Sequence, residues 1–396
     1  MKIAVLTSGI LPVPAVQGGA VETLVDHYLE YNNRHRLHDI SVFSVWHPSA
    51  DSHPALESDV NHYRYINVSS ILAKIRKRLH GLAHRHTYYH YSIDYFFRQA
   101  QNIIQSKDDY DCILLENRPG YALQLRGVTK TKLVYHLHND FLNETSPHSS
   151  ELYQAAAKIV TVSDYINSRV RTCCADDKKT VTVHNGIDLD CFSAAPAITR
   201  QSLGYSDDDF ILAFSGRLIP EKGILELVEA MSMLKDEPNI KLLVMGSSFF
   251  AGDTNNDDAF ISELKSRTSE IAERIRFTGY IRHELIPDYL RLSDVAVVPS
   301  TWDDPFPTTV LEGMAAGLPV ITTNRGGIPE MVTNQNAIVI PFPGDFTGNL
   351  AQAIRYLYHN EEERKYMGEV SATLSRNYAK EIYAKNFFDV IATVYS

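Results

Sequence analysis

The 396-residue sequence is short of cysteine, has no long apolar run and carries no excess of positive charge, and each shortage excludes a class of protein. The four cysteines are Cys112, Cys173, Cys174 and Cys191. They form no Cys-x-x-Cys pair, and adjacent Cys173 and Cys174 suit neither a structural disulfide nor a common zinc site, so reduced thiols are expected. No run of about 18 apolar residues occurs, which excludes a spanning helix. The start, Met1-Lys2-Ile3-Ala4-Val5-Leu6, lacks the longer apolar region and small-residue cleavage site of a signal peptide; it reads as a first strand, and the expected location is the cytoplasm. A net charge of −10 makes nucleic acid a poor partner. No internal short repeat or low-complexity tract is present.

What is present is ordinary for a globular chain, with 44% hydrophobic and 22% charged residues. The length exceeds one ordinary core, since domains hold roughly 100–200 residues, and two domains are the natural count. The halves differ in charge. Residues 1–190 hold 20 Lys and Arg against 20 Asp and Glu, so the second half carries the whole negative balance.

Short β-rich runs alternate with helical patterns in both halves. The first half offers strands at Ile3–Thr7, Ile40–Val45, Cys112–Leu115, Leu133–His136, Ile159–Val162 and Thr180–Val183, with helices at Val21–Tyr31 and Ile93–Gln105. The second offers strands at Ile211–Ser215, Lys241–Met245, Arg276–Thr278, Val295–Val298, Val320–Thr322 and Ala337–Ile340, with helices at Ile224–Leu234, Phe260–Ala272 and Thr309–Ala316. Strands alternating with helices predict an α/β protein of two Rossmann-like, doubly wound parallel sheets. The expected division is an N-terminal lobe over 1–192, a C-terminal lobe over 193–375, and a helix over 376–396 that returns to the first lobe. The linker-like Phe192-Ser193-Ala194-Ala195-Pro196-Ala197 motivates the break. Ligands of such sheets bind beyond the carboxyl ends of the strands, so two facing lobes would hold substrates in a central cleft.

Several segments at those strand ends carry candidate chemistry. Gln17-Gly18-Gly19-Ala20 lies between the first strand and helix, where backbone can approach a phosphate or sugar; a plain turn accounts for it equally well. Gly216-Arg217 and Lys222-Gly223 follow a strand, and Arg217 and Lys222 aimed at one strand end would neutralise a diphosphate, unless they are solvated loop charges. Asp304 and Glu312 stand eight positions apart, one in a loop and one on a helix. Thr308 and Thr309 at that helix start present N–H groups, and the helix dipole alone would account for Asp304. In the first half His138 follows a strand, with His136 as a competitor, and Glu116, Asn117 and Arg118 follow another. No metal site is expected: Asp188-x-Asp190 belongs to a turn.

These segments together resemble glycosyltransferase family 4, retaining enzymes of the GT-B fold. The resemblance rests on Gly18-Gly19, on Val183-His184-Asn185-Gly186-Ile187-Asp188 followed by Phe192, and on Gly216-Arg217 with Lys222-Gly223. It continues through Gly246-Ser247, Phe277-Thr278-Gly279-Tyr280, Ser293-Asp294-Val295, Leu311-Glu312-Gly313-Met314-Ala315-Ala316-Gly317-Leu318-Pro319-Val320 and Gly326-Gly327 with Glu330. It implies a hexosyl-type transferase that takes a nucleotide sugar, a UDP-sugar above others, as substrate and needs neither cofactor nor metal. Arg217 and Lys222 would stabilise the leaving diphosphate, Glu312 the ribose hydroxyls and Asp304 the donor sugar, while His138 would orient the reacting sugar or acceptor. Gly18, Gly19, Gly216, Gly246, Ser247, Tyr280, Phe306, Thr308 and Thr309 would line the donor, and Glu116, Asn117 and Arg118 the acceptor side. The family has glutamate where this chain has Asp304 and glycine where it has Pro307, so the donor sugar is where this chain departs. Another GT-B activity, a sugar phosphorylase or nucleotide-sugar epimerase, and a non-catalytic sugar- or partner-binding protein are the rival readings.

Residues 71–91 combine Ile71, Ile75, Leu79 and Leu82 at helical spacing with Lys74, Arg76, Lys77, Arg78 and a tyrosine-rich end. Such a helix fits an anionic membrane surface, hence a lipid-linked glycan acceptor in cell-surface polysaccharide synthesis and peripheral attachment to the inner face of the cell membrane. It fits a cover for the lobe's own core equally well.

Overall fold

A computed structural model describes residues 1–69, 91–107, 109–247 and 259–394. The basic stretch expected to meet a membrane therefore lies, but for Tyr91, outside the described residues. Among the described residues no helix is long and apolar enough to cross a membrane.

The chain forms two compact units, one of Met1–Asn185 with Glu381–Ser396 and the other of Gly186–Lys380. The break falls at Gly186, ahead of the linker-like stretch, because Ile187 already bonds backbone to backbone with Tyr378 and Lys380. The terminal helix Lys380–Ala392 places Tyr383, Ala384, Phe387, Phe388 and Ile391 in the same core as Val5, Tyr28, Leu114 and Val134.

Among the described residues the first unit holds seven parallel strands, β1 (Lys2–Leu6), β2 (Asp39–Val45), β3 (Asn61–Ile66), β4 (Cys112–Glu116), β5 (Lys132–Leu137), β6 (Ala156–Thr161) and β7 (Thr180–Thr182). Their order is β3-β2-β1-β4-β5-β6-β7. The described residues of the second unit form six, β8 (Phe210–Ser215), β9 (Ile240–Met245), β10 (Ile275–Gly279), β11 (Val295–Val298), β12 (Val320–Thr323) and β13 (Ala337–Ile340), ordered β10-β9-β8-β11-β12-β13. The continuous apolar runs follow from this arrangement. A parallel sheet covered on both faces buries every side chain of its central strands, as β8 does with Leu212 and Phe214 on one face and Ile211 and Ala213 on the other. Strand β3 was absent from the sequence expectation. It is an edge strand whose residues alternate in exposure, so it shows no apolar run, and it pairs along its whole length with β2.

In each unit the strand order reverses once, between β1 and β4 and between β8 and β11. Successive connections leave in opposite directions there, so the loops beyond those two strand ends open a crevice, the usual ligand position of a doubly wound sheet.

Candidate active site

At the switch point of the second unit the loops after β8 and β11 are stitched together. Gly223 has φ +72°, and a Cβ there would meet the Pro299 carbonyl oxygen at 1.9 Å, so only glycine permits the approach. The Thr301 N–H donates to the Glu221 carbonyl at 3.0 Å, and the Thr301 hydroxyl to that of Pro220 at 3.3 Å. This contact carries the Lys222 ammonium onto the Asp304 carboxylate, with which it forms a hydrogen-bonded ion pair. Asp304 is nearly buried and also faces the Ser300 hydroxyl at 3.4 Å. The Lys222 ammonium lies 5.8 Å from the centre of the Trp302 ring. The β12 loop closes the other side, where the Gly327 N–H donates to the Asp304 carbonyl at 2.9 Å.

The glycines after β8 and β9 are in contact as well. Gly246 has φ +151°, and a Cβ there would meet the Gly216 carbonyl oxygen at 1.8 Å. The Leu218 N–H donates to the Ser247 carbonyl at 3.0 Å. Arg217 is exposed beside them, and Tyr280 is exposed after β10. The helix Thr308–Ala315 begins at Pro307 without a side-chain cap, so its first N–H groups and the half-buried Thr308 and Thr309 remain at its open end. Its Glu312 is buried and bonds to His283 Nε2 at 3.1 Å. That hydrogen bond, foremost, raises the His283 pKa above its ordinary value. Phe306 is buried and tilted against Tyr378, a packing position within the unit.

The first unit presents a different arrangement. Gly18 donates its N–H to Ala15, and Gly19 is the N-cap of the first helix, Ala20–His35. At the ends of β4 and β5, Glu116, His136 and His138 meet in the interior. Glu116 accepts from the Tyr28 hydroxyl at 2.9 Å and lies 3.0 Å from His136 Nδ1 and 3.1 Å from His138 Nε2. Burial works to raise the Glu116 pKa, but the two imidazoles and their hydrogen bonds outweigh it and hold the carboxyl down at about 2. Burial, then the neighbouring His136, pushes His138 down to about 4. Asn117 adopts a left-handed φ of 55° and accepts from the His138 backbone N–H at 3.1 Å. Arg118 is half-buried, with Nε donating to the Ser8 carbonyl at 3.3 Å. Glu116 has no exposed surface. Nearby, burial first of all pushes both Glu22 and Asp26 up to about 7.

The structure thus joins Lys222 to Asp304, Gly216 to Gly246 and Glu116 to His138, while Glu312 pairs with a residue outside the sequence expectation. His283, Tyr28 and Trp302 carry no spacing signal that singles them out. His136 does: two residues apart along a strand end, His136 and His138 fall on one face.

Comparison with known proteins accords with this geometry. Residues 197–373 match the family model of glycosyl transferases group 1. The chain is similar to YtcC of Bacillus subtilis (strain 168), a candidate glycosyltransferase, with 28% identity over 378 residues, or 91% of this chain and 84% of that one. It is similar to spore coat protein SA of the same organism, with 26% identity over 408 residues, or 98% and 99% of the two chains. Among solved structures it is similar to Anabaena HepE in complex with UDP-glucose, with a TM-score of 0.73, 20% identity and coverage of 99% and 100%. The likeness in structure is one of fold, and the fold is GT-B.

Proposed function

We propose that this protein is a retaining, metal-independent glycosyltransferase of family 4. It moves a sugar from a nucleoside diphosphate, UDP first among the candidates, to a hydroxyl of a lipid-linked glycan during cell-surface polysaccharide synthesis. The observation that carries the reading is the Lys222–Asp304 pair at the β8/β11 switch point, beside Arg217 and the open helix end at Thr308. The group 1 match over the same unit and the UDP-glucose complex of a protein with this fold support it.

The chemistry follows from the charges. As the bond from sugar to diphosphate breaks, negative charge grows on the leaving oxygens, and fixed cations there lower the barrier. Lys222 and Arg217 supply that charge, so a divalent ion is unnecessary to this reading. Lys222 exchanges its partner, Asp304, for the diphosphate, and Asp304 is then released to accept from donor sugar hydroxyls. Glu312 accepts from the ribose hydroxyls in place of His283. His138 receives a hydroxyl of the reacting sugar or of the acceptor. Attack on the face that the diphosphate leaves, within a tight ion pair, retains the configuration without a carboxylate nucleophile.

The test is a thermal-shift and hydrolysis screen against a panel of nucleotide sugars, since a ligand of the folded state raises its stability by mass action. Stabilisation and slow hydrolysis by one nucleotide sugar, undiminished in excess chelator, is the expected result. Loss of activity in chelator with recovery on adding manganese or magnesium overturns metal independence. Stabilisation without hydrolysis or transfer indicates a binding protein, and phosphate-dependent release of sugar phosphate indicates a phosphorylase.

A further inference from the structure

We infer that Glu116 is a positioning residue for His138: its buried carboxylate holds the imidazole proton on Nε2 and leaves Nδ1 as an acceptor with no proton to give. The inference rests on the reading of His138 as the residue that meets a substrate hydroxyl.

An ionised carboxylate has only acceptors, so in the 3.1 Å contact the Nε2 of His138 is the donor. A neutral imidazole has one N–H, and with that proton on Nε2 the lone pair is on Nδ1. Two conditions must hold, and the surroundings meet both. Glu116 stays ionised because three donors converge on its two oxygens: the Tyr28 hydroxyl, His136 Nδ1 and His138 Nε2. Against burial, the two imidazoles and their hydrogen bonds hold its pKa down at about 2. His138 stays neutral because it is buried and stands beside a second imidazole, the ring centres being 4.1 Å apart.

The ring and its backbone are both held from the end of β4. Glu116 takes the ring nitrogen, and the next residue, Asn117, takes the His138 backbone N–H. Asparagine tolerates the left-handed conformation that this double grip requires. His136 Nδ1 also meets the carboxylate, at 3.0 Å, and its own ring packs at 4.9 Å on Phe387 of the terminal helix. That helix also stacks Phe387 on Tyr28 at 4.6 Å, so one aromatic ring braces two of the three donors.

The consequence is directional. A hydroxyl that meets Nδ1 of His138 must donate its hydrogen, and a substrate group that has only acceptors is refused. An aspartate beside a catalytic histidine imposes the same kind of restriction, fixing the tautomer without itself taking the proton.

The experiment uses the full chain labelled with ¹⁵N-histidine at neutral pH, with His138 assigned by loss of its signals in His138→Gln. The expected spectrum shows a protonated-type Nε2 and an unprotonated-type Nδ1, unchanged by chelator. In Glu116→Gln one carboxamide oxygen must serve three donors and its NH₂ competes, so the tautomer becomes mixed. The kcat for sugar transfer should fall roughly 10–100-fold, the size seen for groups that orient a histidine ligand, with KM changed less. Tyr28→Phe should leave the tautomer intact. A wild-type Nδ1–H tautomer, an imidazolium, or an Nε2 signal that chelator restores, as a metal held by Glu116, His136 and His138 would give, overturns the inference. Because those outcomes are read on the wild type, a Glu116→Gln chain that fails to fold does not shield it. An unchanged tautomer in folded Glu116→Gln also overturns it, and so does a shifted tautomer with unaltered turnover. Nucleotide-sugar hydrolysis by the wild type separates these results from failure of the functional reading.

Discussion

The ends of β4 and β5 in the first unit and the switch point of the second unit handle charge in opposite ways. At the ends of β4 and β5 of the first unit, a carboxylate with no exposed surface is satisfied by three fixed donors, and the histidines around it are buried with it. Beyond β8 and β11 of the second unit, each of two acids is paired with one flexible or half-exposed basic side chain, Asp304 with Lys222 and Glu312 with His283. A buried and fully bonded anion resists exchange, because any new partner must replace several bonds and pay for desolvation. A single pair at an open sheet end has fewer bonds to replace, which suits the exchange for ligand phosphates and hydroxyls proposed above. The first arrangement favours one fixed geometry, and the second suits the exchange of contacts on binding proposed above.

The largest effect expected from breaking the second site is on turnover. Lys222→Ala should lower kcat about 10²–10³-fold, the usual loss for one charged stabilising donor. It also leaves the nearly buried Asp304 without its ammonium, so its melting temperature should fall. The double variant Lys222→Ala with Asp304→Asn should recover the melting temperature without recovering turnover. Stopped kinetics and calorimetry on the three chains check this, and near-normal turnover in Lys222→Ala would make Lys222 a surface charge.

Breaking the first site should show foremost in stability. Glu116→Gln strands donors in the interior at about 1–3 kcal/mol for each unsatisfied group. At roughly 2–4 °C per kcal/mol, the melting temperature should drop by several degrees. The pH dependence sharpens the comparison. The folded-state pKa of Glu116 is depressed, so its contribution is present above the ordinary value of 4.5 and is lost as pH falls toward about 2. His138 stays neutral down to about 4, while the unfolded chain takes up a proton near 6.5, so stability also falls with pH across that window. Glu22 and Asp26 act with the opposite sign. Their folded values of about 7 mean that they ionise at a cost as pH rises from about 4 to 7, and Glu22→Gln should flatten that loss. Melting curves from pH 3 to 8 on wild type, Glu116→Gln and Glu22→Gln test both slopes.

A smaller effect is expected on donor choice. Asp304 is one methylene shorter than the glutamate of the family pattern, and Pro307 removes an N–H from the same loop. Asp304→Glu should change the ratio of turnover between two competing nucleotide sugars by a few-fold, with little change in affinity for the bare nucleotide. Competition kinetics beside calorimetry decide it, and weaker nucleotide binding with an unchanged donor ratio would remove Asp304 from the sugar.

The smallest is at His283. Its raised pKa makes the pair with Glu312 fully present below the ordinary value of 6.5 and lost as pH rises through the folded value. The side chain is half-exposed, so His283→Asn should lower the melting temperature by no more than about 2 °C, and only at the acidic end of the range. A loss that grows with rising pH would reverse the assignment.

The sequence by itself determined the α/β class and the order of nearly all the strands. Parallel strands buried on both faces must be written as short apolar runs, and Val295–Val298 and Ala337–Ile340 appear in the structure with the bounds their runs predict. It also determined which residue types follow the strands, Arg217, Lys222, Asp304 and His138 in the loops and Glu312 on the helix after β11. Strand β3 escaped because an edge strand needs only one buried face. What only the tertiary structure decided is partnership. Lys222 and Asp304 are 82 positions apart and meet because Gly223 lets one loop press on Pro299 of another. Glu116 lies 20 positions from His136 and 88 from Tyr28, and its neighbours turn a residue expected at the acceptor into an interior anion that positions a histidine. Periodicity records which face of an element is buried; the partner across a switch point depends on how non-adjacent loops pack, and no local pattern encodes that contact.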